Sequence, residues 1–216
     1  MPTRVLLVDS EEIVREGIRC LLERDSKLQV VGEAGDGLSA VRLASEMLPD
    51  VALVDVVLPG LNGIDATREI CARTPHPKVI GFSRHAEPQY VFEMLKAGAV
   101  GYVLKSGSSR ELLQAIRLVK NGSSFLSPGI TGVVLDGIVS DQGTKRSSAL
   151  SQLTAREREV LQLLSEGRAT REIAALLNIG VRTVETHRYH TMSKLNLHSV
   201  ASLTRFALRE GLTAID

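Results

Sequence analysis

The sequence predicts an α/β, doubly wound domain with a five-stranded parallel sheet, followed by an all-α domain of four helices. Short apolar runs alternate regularly with helical patterns over residues 1–122. The run at residues 51–54 is entirely apolar and rich in valine, which is typical of a strand that helices cover on both faces of a parallel sheet. Only helical patterns follow residue 150. Strict alternation of strand and helix implies right-handed crossovers and a doubly wound sheet.

The elements of the first domain follow from the period of their apolar residues. Apolar runs of strand composition lie at residues 4–8, 29–34, 51–54, 78–82 and 100–104. Apolar residues at helical spacing lie at 11–23, 38–47, 64–72, 89–97 and 109–121. Gly98 and Gly122 stand at helix stop positions. The predicted domain therefore ends near residue 122.

Residues 123–150 differ in composition and are predicted to form a linker with one short helix. Ser127 would cap this helix and Pro128 would take its first position. Its apolar residues must cover something, either on one domain or between the two, although a simple tether remains an alternative. The polar stretch at 141–148 is typical of a flexible connection.

Residues 151–216 are predicted to form the helical domain. Thr154 and Glu157 have the spacing of a capping box at the start of the first helix, which Gly167 ends. The later helices are expected at about 170–177, 181–195 and 199–209. The inward face of the second includes Leu176. Two helices joined by a short glycine-containing turn, with a basic third helix, are typical of a helix-turn-helix.

The overall charge of +1 conceals an asymmetry between the two parts of the chain. Residues 1–144 carry 15 basic and 18 acidic side chains, a net −3, whereas residues 145–216 carry 11 and 7, a net +4. A basic second part is what contact with a polyanion would require, although four charges are weak evidence alone.

Cysteine usage and hydropathy indicate a cytoplasmic protein. The only cysteines, Cys20 and Cys71, lie in helical patterns and are expected to be largely buried, with no spacing for a disulfide framework or a metal site. The first residues enter a strand directly without a signal-peptide layout. No apolar stretch approaches membrane-spanning length, so no membrane partner is expected.

Polar side chains stand at the ends of four predicted strands. Asp9 follows the first strand, Asp55 the third, Ser83 the fourth and Lys105 the fifth. The carboxyl ends of parallel strands share one edge, where open α/β sheets place their sites. Each residue alone has an ordinary structural explanation, such as a turn or a helix cap. Together they predict a crevice that holds two carboxylates, a hydroxyl and an ammonium.

These residues resemble the receiver domain of two-component response regulators, which has a flavodoxin-like fold. The resemblance rests on Asp9, on Asp55 with the L-P-G-L-N-G of residues 58–63, on Ser83, and on the G-Y-V-L-K that ends at Lys105. It implies that Asp55 accepts a phosphoryl group from a sensor histidine kinase. It also implies that Lys105 pairs with the acyl phosphate, that Ser83 bonds a phosphoryl oxygen, and that Tyr102 turns inward when Ser83 moves.

Magnesium suits this chemistry, because a divalent cation neutralises charge during phosphoryl transfer. Asp9, Asp55 and the backbone carbonyl of Val57 would hold the ion. One residue departs from the family pattern: Ser10 stands where a second acidic residue usually provides the direct ligand. Either Glu11 reaches in with its longer side chain, or Ser10 holds the ion through water. Alternatively, the receiver is a pseudo-receiver that is controlled without phosphate.

The carboxyl-terminal motifs L-T-A-R-E-R-E-V-L, R-E-I-A-A-L-L-N-I and T-V-E-T-H resemble the LuxR-type helix-turn-helix of NarL/FixJ response regulators. The third helix would then enter the major groove of DNA. Helical periodicity directs Val184, His187, Thr191 and Leu195 toward the domain. The expected DNA-binding residues are Arg182, Thr183, Glu185, Thr186, Arg188, Tyr189 and Lys194. The resemblance assigns base reading to Glu185, Thr186 and Tyr189, and we assign phosphate contact to the basic residues.

The fourth helix is expected to expose Val200, Leu203 and Thr204, the face through which the family pairs two DNA-binding domains. If these residues instead close the core of their own domain, the protein could bind as a monomer. The sequence thus predicts a transcriptional regulator and not an enzyme, with DNA, a histidine kinase and a second copy of the chain as partners. RNA polymerase is a further candidate partner. A phosphatase at Asp9 and Asp55 is the enzymatic alternative, which turnover of a phosphomonoester would support.

Overall fold

The computed structural model describes residues 1–73, 77–132, 134 and 149–213. The chain divides into two compact units, residues 1–144 and 145–216. Within the described residues, no helix is both long enough and apolar enough to cross a membrane.

The first unit is a parallel sheet with helices on both faces. Its strands are β1 (Thr3–Val8), β2 (Leu28–Ala34), β3 (Val51–Val54), β4 (Lys78–Ser83), β5 (Gly101–Leu104) and β6 (Phe125–Leu126). Their order in the sheet is β2-β1-β3-β4-β5-β6, and every neighbouring pair is parallel. The helices are α1 (Glu12–Leu22), α2 (Gly37–Met47), α3 (Gly63–Arg73), α4 (Pro88–Lys96) and α5 (Ser109–Lys120).

The two faces of the sheet have separate cores. Side chains of α2, α3 and α4 pack on one face, around Leu6, Val54 and Tyr102. Side chains of α1 and α5 pack on the other face, around Leu7 and Leu53. The all-buried pattern of β3 follows from this double covering.

The sheet has six strands, so the prediction of five was one strand short. The sixth strand pairs Phe125 with Gly101 and Leu126 with Tyr102 at the edge of the sheet. A two-residue strand offers no alternation for a periodicity argument to detect. It lies in the segment that we predicted as linker.

The predicted short helix begins at Pro128 and packs on the first unit. We label it α6; the structure describes it at residues 128–132 and 134. Ile130 and Val134 are buried in the same core as Tyr102, which explains the apolar residues of this segment. The Ser127 carbonyl accepts the Ile130 amide, while the Ser127 hydroxyl accepts the Leu104 amide at 3.0 Å and donates to Glu111. The polar stretch at 141–148 lies outside the described residues.

Within its described residues, the second unit contains the four predicted α-helices and a short 3₁₀ helix (Ala149–Gln152) that was not predicted. The α-helices are α7 (Ala155–Ser165), α8 (Thr170–Leu176), α9 (Val181–Leu195) and α10 (Val200–Arg209). The capping box at Thr154 and Glu157 is present. Leu161, Leu203 and Phe206 lie in one core cluster, and Val160, Ile173 and Val184 lie in another.

Two burial predictions were wrong. Cys20 is exposed on α1, and Leu176 keeps 53% of its surface exposed on α8. Periodicity gives the apolar face of a helix but not how far its neighbours extend over that face. Neither α1 nor α8 is covered as widely as its sequence suggested.

Candidate functional site

The parallel sheet brings four polar side chains to one edge. Asp9 follows β1, Asp55 follows β3, Ser83 ends β4 and Lys105 follows β5. These strands are successive neighbours in the sheet order. The crevice predicted from the sequence is therefore formed.

Lys105 joins the two carboxylates. Its Nζ lies 2.6 Å from Asp9 Oδ2 and 2.6 Å from Asp55 Oδ2, so these two oxygens are at most 5.2 Å apart (2.6 + 2.6). All three side chains are at least nine-tenths buried. A single ammonium therefore offsets the repulsion between two carboxylates that water hardly reaches.

Burial raises the pKa of the Asp55 carboxyl above its ordinary value. The Lys105 ammonium and the Ser83 hydroxyl act in the opposite direction, and the charge of Asp9 adds to the rise. Asp55 Oδ1 also accepts the Val56 amide at 2.7 Å. Asp55 is thus a poorly solvated carboxylate fixed beside a cation, as a nucleophile toward an anionic group requires.

Ser83 and Tyr102 continue the site into the core. Both are fully buried, and the Ser83 hydroxyl accepts the His85 amide at 3.4 Å. The Tyr102 hydroxyl donates to the His85 carbonyl at 2.7 Å, and burial raises the pKa of this phenol. In this structure Tyr102 therefore already points inward, and the backbone of His85 links it to Ser83, the residue that the resemblance makes its switch partner.

The loop after Asp55 closes on the backbone of Asp55 itself. The Gly63 amide donates to the Val56 carbonyl at 2.8 Å, and a Cβ at Gly63 would lie 1.7 Å from the Asp55 carbonyl oxygen. Only glycine permits this close approach. The last residue of the L-P-G-L-N-G motif therefore fixes the position of the Asp55 main chain.

The residues predicted to hold a metal ion differ in their burial and contacts. The carboxylates of Asp9 and Asp55 are buried and both contact the Lys105 ammonium, and their oxygens are of the kind that magnesium prefers. Val57 is half-buried and packs on the core, and Ser10 is exposed. With the side chains as placed, the described residues contain no group of three or more His, Cys, Asp or Glu that could hold a metal ion, and the Glu11 carboxylate is turned to Arg84.

Glu11 forms an ion pair with Arg84, which was not among the predicted site residues. Arg15 was not predicted either; its Nη1 donates to the Asp9 carbonyl at 2.7 Å and to the Ser10 carbonyl at 3.2 Å. Arg84 could have been predicted from the sequence, because it directly follows Ser83 and so lies at the same edge of the sheet.

The third helix of the second unit has the predicted two faces. Val184 and Thr191 are buried, and His187 and Leu195 are half-buried. The predicted contact residues lie on the surface: Arg182, Thr183, Glu185, Thr186, Tyr189 and Lys194 are exposed and Arg188 is half-buried. Tyr189 keeps 71% of its surface exposed. Gly180 stands at the N-cap of this helix without a side chain to cap it.

Lys194 differs from the other predicted contact residues, because its charge already has a partner. Its Nζ lies 2.7 Å from Oε2 of Glu157, a buried residue in the first turn of α7. Burial raises the pKa of Glu157, but hydrogen bonds from Lys194 and Thr154 outweigh burial and leave the pKa below its ordinary value. The geometry therefore favours a structural role for Lys194 over phosphate contact.

The predicted exposure of Leu203 on α10 was wrong. Leu203 is fully buried in the core with Leu161 and Phe206. Val200 is exposed, and Thr204 is half-buried with its hydroxyl bonded to the Val200 carbonyl at 3.1 Å. The sequence placed Leu203 on the wrong side because an amphipathic pattern does not say which apolar residues close the domain. Any pairing surface on this helix therefore centres on Val200 and Thr204.

Comparison with known families identifies both units. Residues 5–117 match the model of the response regulator receiver domain, and residues 151–207 match that of bacterial regulatory proteins of the luxR family. The chain is 37% identical to the transcriptional regulatory protein LiaR of Bacillus subtilis over 97% of this chain and 98% of LiaR.

Two solved structures of the response regulator RcsB are also similar to this chain. One is RcsB of Salmonella enterica serovar Typhimurium bound to a promoter in the presence of the phosphomimetic BeF3⁻, with 25% identity, a TM-score of 0.62, and coverage of 99% of this chain and 100% of RcsB. The other contains two RcsB dimers bound to two parallel DNAs, with 25% identity, a TM-score of 0.59, and coverage of 95% and 98%.

Proposed function

The chain belongs to the NarL/FixJ-type response regulators of two-component systems, and we propose that its Asp55 accepts a phosphoryl group from a sensor histidine kinase. Phosphorylation then controls the dimerisation of the chain and the access of its LuxR-type domain to DNA. The observation that carries this proposal is the 2.6 Å contact of Asp55 with Lys105 at a buried edge of the sheet where Ser83 also ends its strand.

The side chains around Asp55 have distinct parts in the transfer. An Asp55 carboxylate oxygen attacks phosphorus and forms a P–O bond while the P–N bond to the kinase imidazole breaks. The imidazole nitrogen leaves with the electron pair and takes a proton from water. Lys105, already 2.6 Å from Asp55, pairs with the negative charge that gathers on the phosphoryl oxygens. The Ser83 hydroxyl then hydrogen-bonds one of those oxygens.

A magnesium ion would be held by the carboxylates of Asp9 and Asp55 and by the Val57 carbonyl. When bound, it neutralises charge on the transferring group. The Asp9 side chain is fixed for this task, because its Oδ1 accepts the Glu11 amide at 3.0 Å. Ser10 removes one carboxylate, so we expect weaker metal binding than a site with three would give.

Phosphate control is favoured over the alternative of a pseudo-receiver. A receiver that works without phosphate has no need of a desolvated carboxylate, an ammonium and a hydroxyl at one buried edge. All three are buried at this edge, and the carboxylate lies 2.6 Å from the ammonium. The neutral Ser10 affects metal affinity and leaves the acceptor unchanged.

The second domain reads DNA through its third helix. Glu185, Thr186 and Tyr189 are exposed and can meet base edges, whereas Arg182 and Arg188 suit phosphates. RcsB, a relative by structure, has been solved as dimers on DNA. By analogy, we expect this chain to bind as a homodimer with its two recognition helices about one turn of DNA apart, in the cytoplasm and within reach of RNA polymerase.

Intact-mass spectrometry after incubation with acetyl phosphate and magnesium tests the proposal. We expect the gain of one phosphoryl group, absent from an Asp55→Ala variant. The same sample should bind its DNA more tightly as a dimer, because only a differential interaction with the dimer shifts the population. Unchanged mass with intact DNA binding would contradict phosphate control and support the pseudo-receiver.

A further inference from the structure

The Glu11–Arg84 ion pair crosses the phosphoacceptor. Glu11 follows β1 and Arg84 follows β4, and these strands lie on either side of β3, which leads into Asp55. A contact between the two loops must therefore pass over the carboxyl end of β3. The pair is accessible, since the Arg84 side chain is 68% exposed and that of Glu11 is 40% exposed.

The main chain of Glu11 is held by hydrogen bonds, whereas its carboxylate can change partner. Its amide donates to Asp9 Oδ1 at 3.0 Å, and its carbonyl accepts the amides of Val14 and Arg15 at the start of α1. The Arg15 guanidinium also ties down the carbonyls of Asp9 and Ser10. Although Glu11 stands at the N-cap of α1, its carboxylate makes no capping bond. The backbone thus holds Glu11 beside Asp9 while its carboxylate can turn.

The charge of the site leaves room for another carboxylate. Lys105 already offsets one of the two negative charges of Asp9 and Asp55, so a divalent cation added there would meet too little negative charge. Ser10 supplies none. Glu11 carries the acid nearest in sequence to Asp9, and its amide contacts the Asp9 carboxylate.

We propose that Glu11 is the third carboxylate of the divalent-cation site, and that Arg84 competes with the cation for it. Without the cation, Arg84 holds Glu11 across Asp55. With the cation, Glu11 turns to the metal and the Arg84 guanidinium is released at the mouth of the site. This inference rests on the proposed function, since it concerns the metal that the same site would use.

Calorimetric titration of the full chain with magnesium chloride, without a phosphoryl donor, tests this inference. The variants are Glu11→Gln, Arg84→Gln and the double variant. Arg117→Gln is a matched control, because Arg117 forms an exposed ion pair with Asp25 at 2.7 Å on α5. The Arg84 and Arg117 side chains are mostly exposed and that of Glu11 is 40% exposed, so the folded state should persist; circular dichroism checks this.

We expect Glu11→Gln to weaken magnesium binding on the order of tenfold. Arg84→Gln should strengthen it by up to about fivefold, the most that an exposed ion pair usually contributes. In the Glu11→Gln background, Arg84→Gln should have almost no effect, and Arg117→Gln should have none in the native background.

Three results would overturn the inference: unchanged affinity in Glu11→Gln, an equal gain from Arg84→Gln in both backgrounds, or no magnesium binding by the native chain at millimolar concentration. An equal gain in magnesium affinity in both backgrounds would mean that Arg84 acts through long-range electrostatic repulsion of the cation and not through Glu11. A Ser10→Asp variant adds a further check, since a carboxylate at position 10 should raise affinity and make Glu11→Gln nearly silent.

Failure of this inference is distinguishable from failure of the proposed function. Phosphorylation of Asp55 in the native chain, measured by mass, does not depend on which residue completes the metal site. Phosphorylated Asp55 with a silent Glu11→Gln variant would leave the function intact and remove the inference. Glu11-dependent magnesium binding with no phosphorylation of Asp55 would support the inference and contradict the proposed function.

Discussion

Lys105 is the residue on which the carboxyl edge of the receiver depends. It is nine-tenths buried, contacts two carboxylates, and lies 5.8 Å from the centre of the Phe82 ring. Removal of one partner of a buried ion pair leaves uncompensated charge, which is costly. The same side chain therefore serves both stability and chemistry.

Lys105→Ala should lower the free energy of unfolding of the receiver by about 3 kcal/mol, because Asp9 and Asp55 would repel each other without a cation. Urea unfolding with a chelator present measures this. Lys120→Ala is the control: Lys120 pairs with Asp50 at a more exposed position, so its loss should cost less than about 1 kcal/mol. Equal effects would contradict the central role of Lys105.

Gly63 fixes the position of the Asp55 main chain. Gly63→Ala should reduce phosphoryl uptake at least about tenfold, because the new methyl group must displace the Asp55 carbonyl and with it the nucleophile. Gly17→Ala is the control, since nothing lies within 4 Å of its added Cβ; uptake should stay unchanged. Mass spectrometry against time measures both rates. Normal uptake in Gly63→Ala would show that the loop adjusts.

At the scale of elements, α7 and α9 are joined by the Glu157–Lys194 pair. The pKa of Glu157 is lowered in the folded domain, so its contribution to stability is present above the ordinary pKa of 4.5. It is lost as the pH falls through the lowered folded value. The helix-turn-helix domain should therefore lose stability below about pH 4.5 in part through this residue.

Glu157→Gln should flatten that acid dependence and also lower stability near neutral pH, since the charged hydrogen bonds to Lys194 and Thr154 are weakened. Lys194→Met should lower stability near neutral pH by a similar amount. Thermal unfolding followed between pH 3 and pH 7 measures both, where about 1 to 2 kcal/mol is expected. An unchanged pH profile in Glu157→Gln would refute the assignment.

One turn of α10 carries both a core residue, Leu203, and a surface residue, Val200. Leu203→Ala should destabilise the second domain by about 3 kcal/mol, because it leaves a cavity among Leu161 and Phe206. Val200→Ala should cost under about 0.5 kcal/mol, because Val200 is exposed. Urea unfolding tests the pair.

A Val200→Asp variant extends this comparison to assembly. If α10 pairs two DNA-binding domains, a charge at Val200 should weaken dimer formation on DNA and leave the fold unchanged. Sedimentation with and without DNA measures this. Normal dimer formation by Val200→Asp would show that the pairing surface lies elsewhere.

At the scale of the whole molecule, the chain joins a receiver of net charge −3 to a domain of net charge +4. Sedimentation with beryllofluoride and magnesium should show a shift from monomer toward dimer that Asp55→Ala lacks. A shift from 1:99 to 99:1 needs about 5.5 kcal/mol of differential interaction. Identical sedimentation of both proteins would argue that phosphate acts on DNA access alone.

The sequence by itself determined most of this architecture. Alternating periods predicted the doubly wound domain, the capping box at Thr154 located the helical domain, and the strand-end residues Asp9, Asp55, Ser83 and Lys105 predicted the crevice. These signals are local: each depends on spacing along a few residues of chain. The parallel sheet then guarantees that strand ends meet.

The tertiary structure decided what depends on contacts between distant residues. Leu203 turned out to be core and Cys20 surface, because burial depends on how far neighbouring elements extend. The strand at Phe125 was too short to show a period and needed β5 to define it. The Glu11–Arg84 and Glu157–Lys194 pairs join residues 73 and 37 positions apart. Spacing in a sequence can place a charge at one edge of a sheet, but it does not show which charges pair, because only folding sets the distance between them.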